Sequence, residues 1–207
     1  MEQIKEYEYV DLGLPSGLKW AKCNVGAKTE TDYGYCFQWG DIEDKTNSDC
    51  GWESYKYGDG SNFSKYNTGN NGYGGTIDNK ITLDLEDDAA TQIMGSDWRM
   101  PTQDELQELA DNTDNEWICN YNGTGVNGRK FTSKTDTSKY IFIPASGIRS
   151  NSSFFFQGSY GAVWSSSLNA DYSGYAWFLY IGSGNVVARL NISRSRGFMV
   201  RGVTECR

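Results

Sequence analysis

Apolar and polar residues along this chain mostly alternate in short runs, and helical spacing occurs in one central region only. The segment 7–21 reads as strand, turn, strand, with Pro15-Ser16-Gly17 as the turn. Positions 35–39 read as a further short strand. Leu85, Ala89 and Ile93 then fall at i, i+4 and i+8, on one face of a helix that Gly95 stops. A second helix has a sharper signal. Thr102 is a good N-cap, Glu105 three residues later completes a capping box, and Leu106, Leu109 and Ala110 form the apolar stripe. Strands return at 140–144, 176–181, 186–192 and 198–203. The pattern predicts an α+β fold with two helices and short, mainly antiparallel strands, in a single domain over 1–207. One region has no period: 41–80 is polar and rich in Gly and Asn. It reads as an irregular surface insertion pinned by Trp52, Tyr55, Tyr57, Phe63 and Tyr66. It lacks the order of a phosphate-binding loop, and no strand leads into it.

The run 176–181 poses a question of sides. Trp177, Leu179 and Ile181 face one way; Phe178 and Tyr180 face the other. If the Trp177 side is core, Phe178 and Tyr180 face outward. The alternative is a sheet buried on both faces, in which both are core. Composition bears on the choice. The chain has 11 Lys, 11 Glu, 6 Gln and 4 Met, which predicts about six of these in 158–198, yet that stretch has none. It does hold Tyr160, Tyr172, Tyr175, Phe178 and Tyr180 among Ser, Gly and Asn, the composition of a binding surface.

Charge and residue types narrow the chemistry. A net charge of -8 repels phosphate backbones and anionic membranes, so nucleic acid is not an expected partner. No run of 18 apolar residues predicts membrane insertion. The polar opening, Met1 to Glu6, has no apolar signal core. With no His, a serine triad and a papain-like dyad are excluded. Cys23, Cys36, Cys50, Cys119 and Cys206 form no CxxC pair, which argues against zinc and thioredoxin chemistry. Their expected state is buried, unpaired thiols; one disulfide is compatible with the count, and spacing does not assign it. Glu86, Asp87 and Asp88 offer oxygen ligands for calcium, but a solvated helix start explains them better, so no metal is expected. Asp104, Glu105 and Glu108 have no apolar surroundings to raise a pKa. Ser165-Ser166-Ser167 sits in no nucleophile elbow. No cofactor and no catalytic residue is expected.

An ordered set of motifs remains. Glu8-Tyr9-Val10-Asp11-Leu12-Gly13-Leu14-Pro15-Ser16-Gly17-Leu18-Lys19-Trp20-Ala21 is followed by Cys23-Asn24-Val25-Gly26-Ala27, Asp32-Tyr33-Gly34 and Trp39-Gly40. Then come Asp87-Asp88-Ala89-Ala90, Trp98-Arg99-Met100-Pro101-Thr102, Ile143-Pro144-Ala145-Ser146-Gly147, Trp164-Ser165-Ser166-Ser167 and Arg196-Gly197-Phe198-Met199-Val200-Arg201. Over nearly its whole length the chain resembles the FISUMP-type (major paralogous) domain. That resemblance implies a C-type-lectin-like fold related to formylglycine-generating enzymes. The family core is shorter than 41–80 requires and carries Pro where Gly202 stands. The region 154–196 further resembles the variable region of diversity-generating retroelement proteins. There adenine-directed changes in Asn codons yield Tyr, Phe, Ser, Gly, Ala, Val, Leu, Ile, Asp or Arg, and never Lys, Glu, Gln, Met or Trp. By that resemblance Asp171, Tyr172, Gly174, Tyr175, Phe178, Tyr180, Val187, Ala188, Leu190, Ile192 and Ser195 are diversified ligand-binding positions, joined by Phe156, Tyr160 and Ala162. Trp177 is fixed framework, and Asn169, Asn185 and Asn191 are unchanged template residues. Val187, Leu190 and Ile192 form an apolar floor, with Arg194 or Arg196 as polar rim.

Three functions compete. The first is a non-enzymatic binder of a protein or glycan ligand on a cell surface, acting extracellularly, on a cell surface or on a phage virion. The second is a lectin or adhesin subunit without diversification. The third is an enzyme of the formylglycine-generating type, which needs paired thiols near the C-terminus, where Cys206 stands alone and Cys119 is the nearest other.

Overall fold

The capping box at Thr102 starts a helix, α2 (Gln103–Asn112). The Thr102 hydroxyl accepts the Glu105 N–H at 3.3 Å, and the Glu105 carboxylate accepts the Thr102 N–H at 2.8 Å. Arg99 braces the same carboxylate through two bonds of 2.7 Å. The earlier helix, α1 (Ala89–Met94), is shorter than the apolar spacing predicts. Leu85 lies outside it, in a 3-10 turn, and is 66% exposed. The start is set by Asp88, whose carboxylate accepts the N–H groups of Thr91 (2.9 Å) and Met100 (2.7 Å). A side-chain cap here overrides periodicity.

The computed structural model describes residues 7–205, so Met1 to Glu6, Cys206 and Arg207 lie outside the described residues. It is a mixed α+β fold, mostly strands. The strands are β1 (Tyr9–Asp11), β2 (Lys19–Ala21), β3 (Cys36–Gln38), β4 (Asn62–Phe63), β5 (Gly74–Gly75), β6 (Thr113–Ile118), β7 (Gly128–Ser133), β8 (Tyr140–Pro144), β9 (Ile148–Ser150), β10 (Ser153–Phe155), β11 (Tyr160–Leu168), β12 (Tyr175–Gly182), β13 (Val186–Ser193), β14 (Gly197–Met199) and β15 (Val203–Thr204). The largest sheet runs β10-β9-β14-β11-β12-β13, with β3 also paired to β14. A second sheet, β1-β2-β15, joins the two ends of the described chain, and a third is the meander β6-β7-β8. The stretch 198–203, expected as one strand, is split between β14 and β15. The reason is Arg201, fully buried between them. Its guanidinium donates to the carbonyls of Ala21 (2.9 Å), Lys22 (2.7 Å) and Phe142 (2.8 Å) and to Asn24 Oδ1 (2.8 Å).

Apolar clusters pack on both faces of β11 and β12. One contains Trp39, Tyr55, Phe63, Tyr66, Ala162, Trp164, Ala176, Phe178 and Phe198. The other contains Leu106, Leu109, Phe131, Ile141, Val163, Leu179, Ile181 and Ala188. The insertion belongs to the first cluster. As expected, Tyr55, Tyr57, Phe63 and Tyr66 are buried, and Trp52 packs on them. The insertion is therefore partly core, and it covers a face of the sheet that a polar, Gly-rich loop would leave open.

Candidate functional site

Strand parity decides which predicted site residues meet. In β12, Ala176, Phe178 and Tyr180 share one face. Their partners across β11 are Leu168, Trp164 and Ala162. Across β13 they are Ile192, Leu190 and Val187, with a register shift between Phe178 and Tyr180. Tyr160 lies two residues before Ala162, on the same face. Eight predicted positions thus share one flank of the sheet: Phe156, Tyr160, Ala162, Phe178, Tyr180, Val187, Leu190 and Ile192.

They differ in depth. Phe178 is 7% exposed and packs on Trp164 and Phe198, with ring centroids 6.2 and 4.9 Å away. Ala162 is fully buried. The expectation that Phe178 turns outward is corrected: the sheet is covered on both faces at that point, and the insertion is the second cover. Beyond its reach the face opens. Tyr180 and Tyr160 are half-buried, with ring centroids 5.3 Å apart; Phe156 is a further 5.3 Å from Tyr160, and Phe155 is 6.4 Å from Phe156. Phe155 and Phe156 are 48% and 62% exposed. Leu190 is exposed, and Val187 and Ile192 are half-buried beside it. The result is a strip of four rings running from solvent towards the core, bordered by aliphatic side chains. It carries no charged side chain. Burial, and then the neighbouring Tyr180, pushes the Tyr160 phenol up to about 12, so the ring stays neutral and can donate a hydrogen bond.

A second exposed group lies at the opposite end of β12, roughly 16 Å from Tyr180 at about 3.3 Å per residue. Tyr172 and Tyr175 meet edge to face at 6.3 Å, and Asp171 is exposed beside them. Asn169 Oδ1 shapes this loop by accepting the N–H groups of Asp171 (3.0 Å) and Tyr172 (3.2 Å). The insertion props it from below. Thr68 Oγ1 and Asn70 Nδ2 each donate to the Ala170 carbonyl at 2.8 Å, Asn71 Nδ2 donates to the Asp171 carbonyl, and Thr68 N–H donates to Ser173 Oγ at 3.0 Å.

Three further predicted positions are interior. Gly174 is buried against Tyr73, Ala188 belongs to the core cluster of α2, and Ser195 is 2% exposed. Arg194, expected at the rim, is fully buried. Arg196 is half-buried and donates to Ser150 Oγ. Sequence reasoning missed Phe155, although it sits in the run Phe154-Phe155-Phe156, and it missed the props Thr68, Asn70 and Asn71. Nothing local marks those three, because their partners lie 100 residues or more away.

The acidic residues before α1 are not a solvated helix start. Asp87 and Asp88 are buried, and Glu86 alone stays exposed. Oxygens of Asp84, Glu86 and Asp87 converge within 4.8 Å, but Lys65 Nζ stands among them at 2.7, 2.8 and 2.6 Å, where a cation would sit. A cavity of about 640 Å³ opens elsewhere, lined in part by Tyr7, Lys22, Cys23, Tyr35 and Met94. The aromatic strip is a surface and not a cavity.

Residues 13–204 match the Lcl C-terminal domain. The chain belongs to that family. No curated relative and no solved structure matches it. Among the described residues of this Lcl C-terminal domain, no helix is long and apolar enough to cross a membrane.

Proposed function

We propose that this domain binds a protein or glycan ligand on a cell surface through the aromatic strip that runs from β10 to β12, bordered by β13, and that it is not an enzyme. The observation that carries the reading is the solvent-open run Phe155, Phe156, Tyr160 and Tyr180 on a sheet anchored from both sides. Exposed rings on a rigid scaffold supply large contact area at low entropic cost. Membership of the Lcl C-terminal domain family supports a ligand-binding, adhesin-like domain. The absence of His removes the usual base for catalysis near neutral pH.

The finer reading is that of a FISUMP-type, C-type-lectin-like domain whose strip is diversified by a retroelement, acting extracellularly, on a cell surface or on a virion. Two observations support it. Eight predicted variable positions converge on one flank of one sheet, and 158–198 lacks Lys, Glu, Gln and Met, four of the residue types that adenine-directed change in Asn codons cannot produce. The pairing of both ends of the described chain in β1-β2-β15, with two helices and a long C-terminal sheet between them, supports the lectin-like comparison. Ala162, Phe178, Ala188 and Ser195 then vary only within limits of volume.

The test is binding to a glycan microarray and to displayed cell-surface proteins. Tyr160→Ala combined with Tyr180→Ala is expected to weaken a captured ligand roughly thirtyfold, the scale of an aromatic hot spot. Urea midpoints are expected to stay close to that of the parent. Unchanged binding by this variant overturns the assigned surface, and a loss on Tyr172→Ala with Tyr175→Ala instead moves the site to the other end of β12. The coding DNA tests diversification separately. Pyrimidine-ending codons at the named positions, and a nearby copy with adenines there, are expected.

A further inference from the structure

Two of the thiols that spacing could not pair come together at one point of the main sheet. Cys36 lies in β3, where it is the register partner of Met199 in β14. Cys50 forms an isolated antiparallel bridge with Asn151, just past β9. β9 and β3 flank β14, and Gly197 of β14 pairs with Arg149 on one side and Gln38 on the other. Both cysteines are fully buried and form a small cluster with Met199. Gly197 makes the room. A Cβ there would lie 2.5 Å from Cys36 Sγ and 2.7 Å from Cys50 Sγ, so both sulfurs occupy the space above this glycine. Side by side, the two thiols shift in opposite directions, Cys36 raised and Cys50 lowered. Any side chain at 197 would expel one of the sulfurs.

We propose that Cys36 and Cys50 are a disulfide site that staples the first part of the insertion to the main sheet under oxidising conditions. The bond would close the segment 37–49, whose polar part, 42–49, carries no fully buried side chain of its own. A cross-link there removes conformations from the unfolded chain without demanding a new core. The two sulfurs already share the space over Gly197 and need only close to the bonded distance of about 2.05 Å.

The chemistry balances as exchange with a low-molecular-weight disulfide. A Cys50 thiolate attacks one sulfur of that molecule, forming a mixed disulfide and releasing a small thiolate. The Cys36 sulfur, giving up its proton, then attacks the Cys50 sulfur and releases the second small thiolate. Two protein thiols are oxidised, one small disulfide is reduced to two thiols, and the two protons end on those thiols. The neighbouring Cys36 thiol lowers the Cys50 thiol against the opposing effect of burial, and Arg149 adds to the lowering, which makes Cys50 the attacking group. Cys36, raised by the neighbouring Cys50 and by burial, is the resolving thiol. Both sulfurs are buried, so exchange proceeds while the chain folds or when 41–49 lifts.

The full chain is equilibrated with a graded ratio of oxidised to reduced glutathione. It is then quenched in denaturant with an alkylating agent and digested for mass spectrometry without reductant. The expected result is one cross-linked peptide pair containing Cys36 and Cys50, lighter by two hydrogens than the reduced pair, while Cys23 and Cys119 are alkylated. The oxidised form is expected to melt at a higher temperature than the same protein after reduction. Full alkylation of Cys36 and Cys50 at every ratio overturns the proposal. So does a predominant cross-link of either one to Cys23, Cys119 or Cys206. The wild-type chain carries the test, so it does not depend on the folding of a cysteine variant.

Discussion

Arg194→Ala is expected to remove about 4 kcal/mol of folding stability, much of what a domain of this size has. Arg194 is fully buried and makes no ion pair among the described residues, Asp78 acting on it only at longer range. Its guanidinium lies over the Phe63 ring at 3.8 Å, with Tyr55 and Trp39 at 5.2 and 5.8 Å. It donates to the carbonyls of Tyr66 (2.8 Å) and Lys65 (3.2 Å), and its Nε has no partner. A cation enclosed by ring faces exchanges water for π electron density and carbonyl dipoles. Those contacts tie β13 to the insertion. Alanine removes the stem, opens a cavity and orphans two carbonyls. Arg194→Met separates the contributions. It keeps most of the volume and also removes the cost of burying an unpaired charge, so its loss is expected to be smaller, about 1–2 kcal/mol. Urea unfolding followed by Trp fluorescence reads both variants, since Trp39 is in the contact. An Arg194→Ala midpoint equal to that of the parent would mean that the aromatics and the other polar ties hold the insertion without this cation.

The features that were readable in the sequence are those decided within a few residues. The Thr102–Glu105 box starts α2 because both partners lie within one turn, and Gly95 ends α1. The aromatics of the insertion could be named as its anchors because large rings in a polar segment have nowhere else to go. Sidedness was not readable. Phe178 alternates with Leu179 whether the sheet has one cover or two, and the second cover comes from residues more than 100 positions earlier in the chain. The same distance hid Arg194. A lone arginine among variable-looking residues reads as rim until the Phe63 ring is seen beneath it. The candidate strip fared better, because period two alone puts Tyr160, Tyr180 and Leu190 on one flank once their strands are paired. Helix length failed at Leu85, since a capping carboxylate at Asp88 outweighs one apolar position.

Asp87→Ala is expected to cost a similar amount, about 3–5 kcal/mol, because it strips a buried charge from several donors at once. The Asp87 carboxylate is 2% exposed and accepts from the Tyr57 hydroxyl, the Tyr66 hydroxyl (2.6 Å), Lys65 Nζ (2.6 Å) and Lys56 Nζ (3.0 Å). Tyr57, Lys56, Lys65 and Tyr66 belong to the insertion, while Asp87 precedes α1. The cluster is therefore the second tie, after Arg194, between the insertion and the body of the domain. Burial alone would raise this acid. The bonds from Lys65, Tyr57, Tyr66 and Lys56 outweigh it and hold the group down at about 2, against 3.8 unperturbed. Burial, and then the bond to Asp87, pushes the Tyr57 phenol up to about 12, so it stays protonated and donating. The sign of the pH dependence follows. The folded state holds the proton more weakly than the unfolded chain, so this contribution is complete above about pH 4 and fades as the pH falls through about 2. Its size is about 2 kcal/mol at ~1.4 kcal/mol per pH unit. Asp87→Asn keeps the shape and one acceptor but cannot titrate. Urea midpoints of the parent and of Asp87→Asn are expected to differ most at neutral pH and to converge between pH 4 and pH 2. Parallel curves across that window would move the acid sensitivity to other carboxylates and leave Asp87 a packing role only.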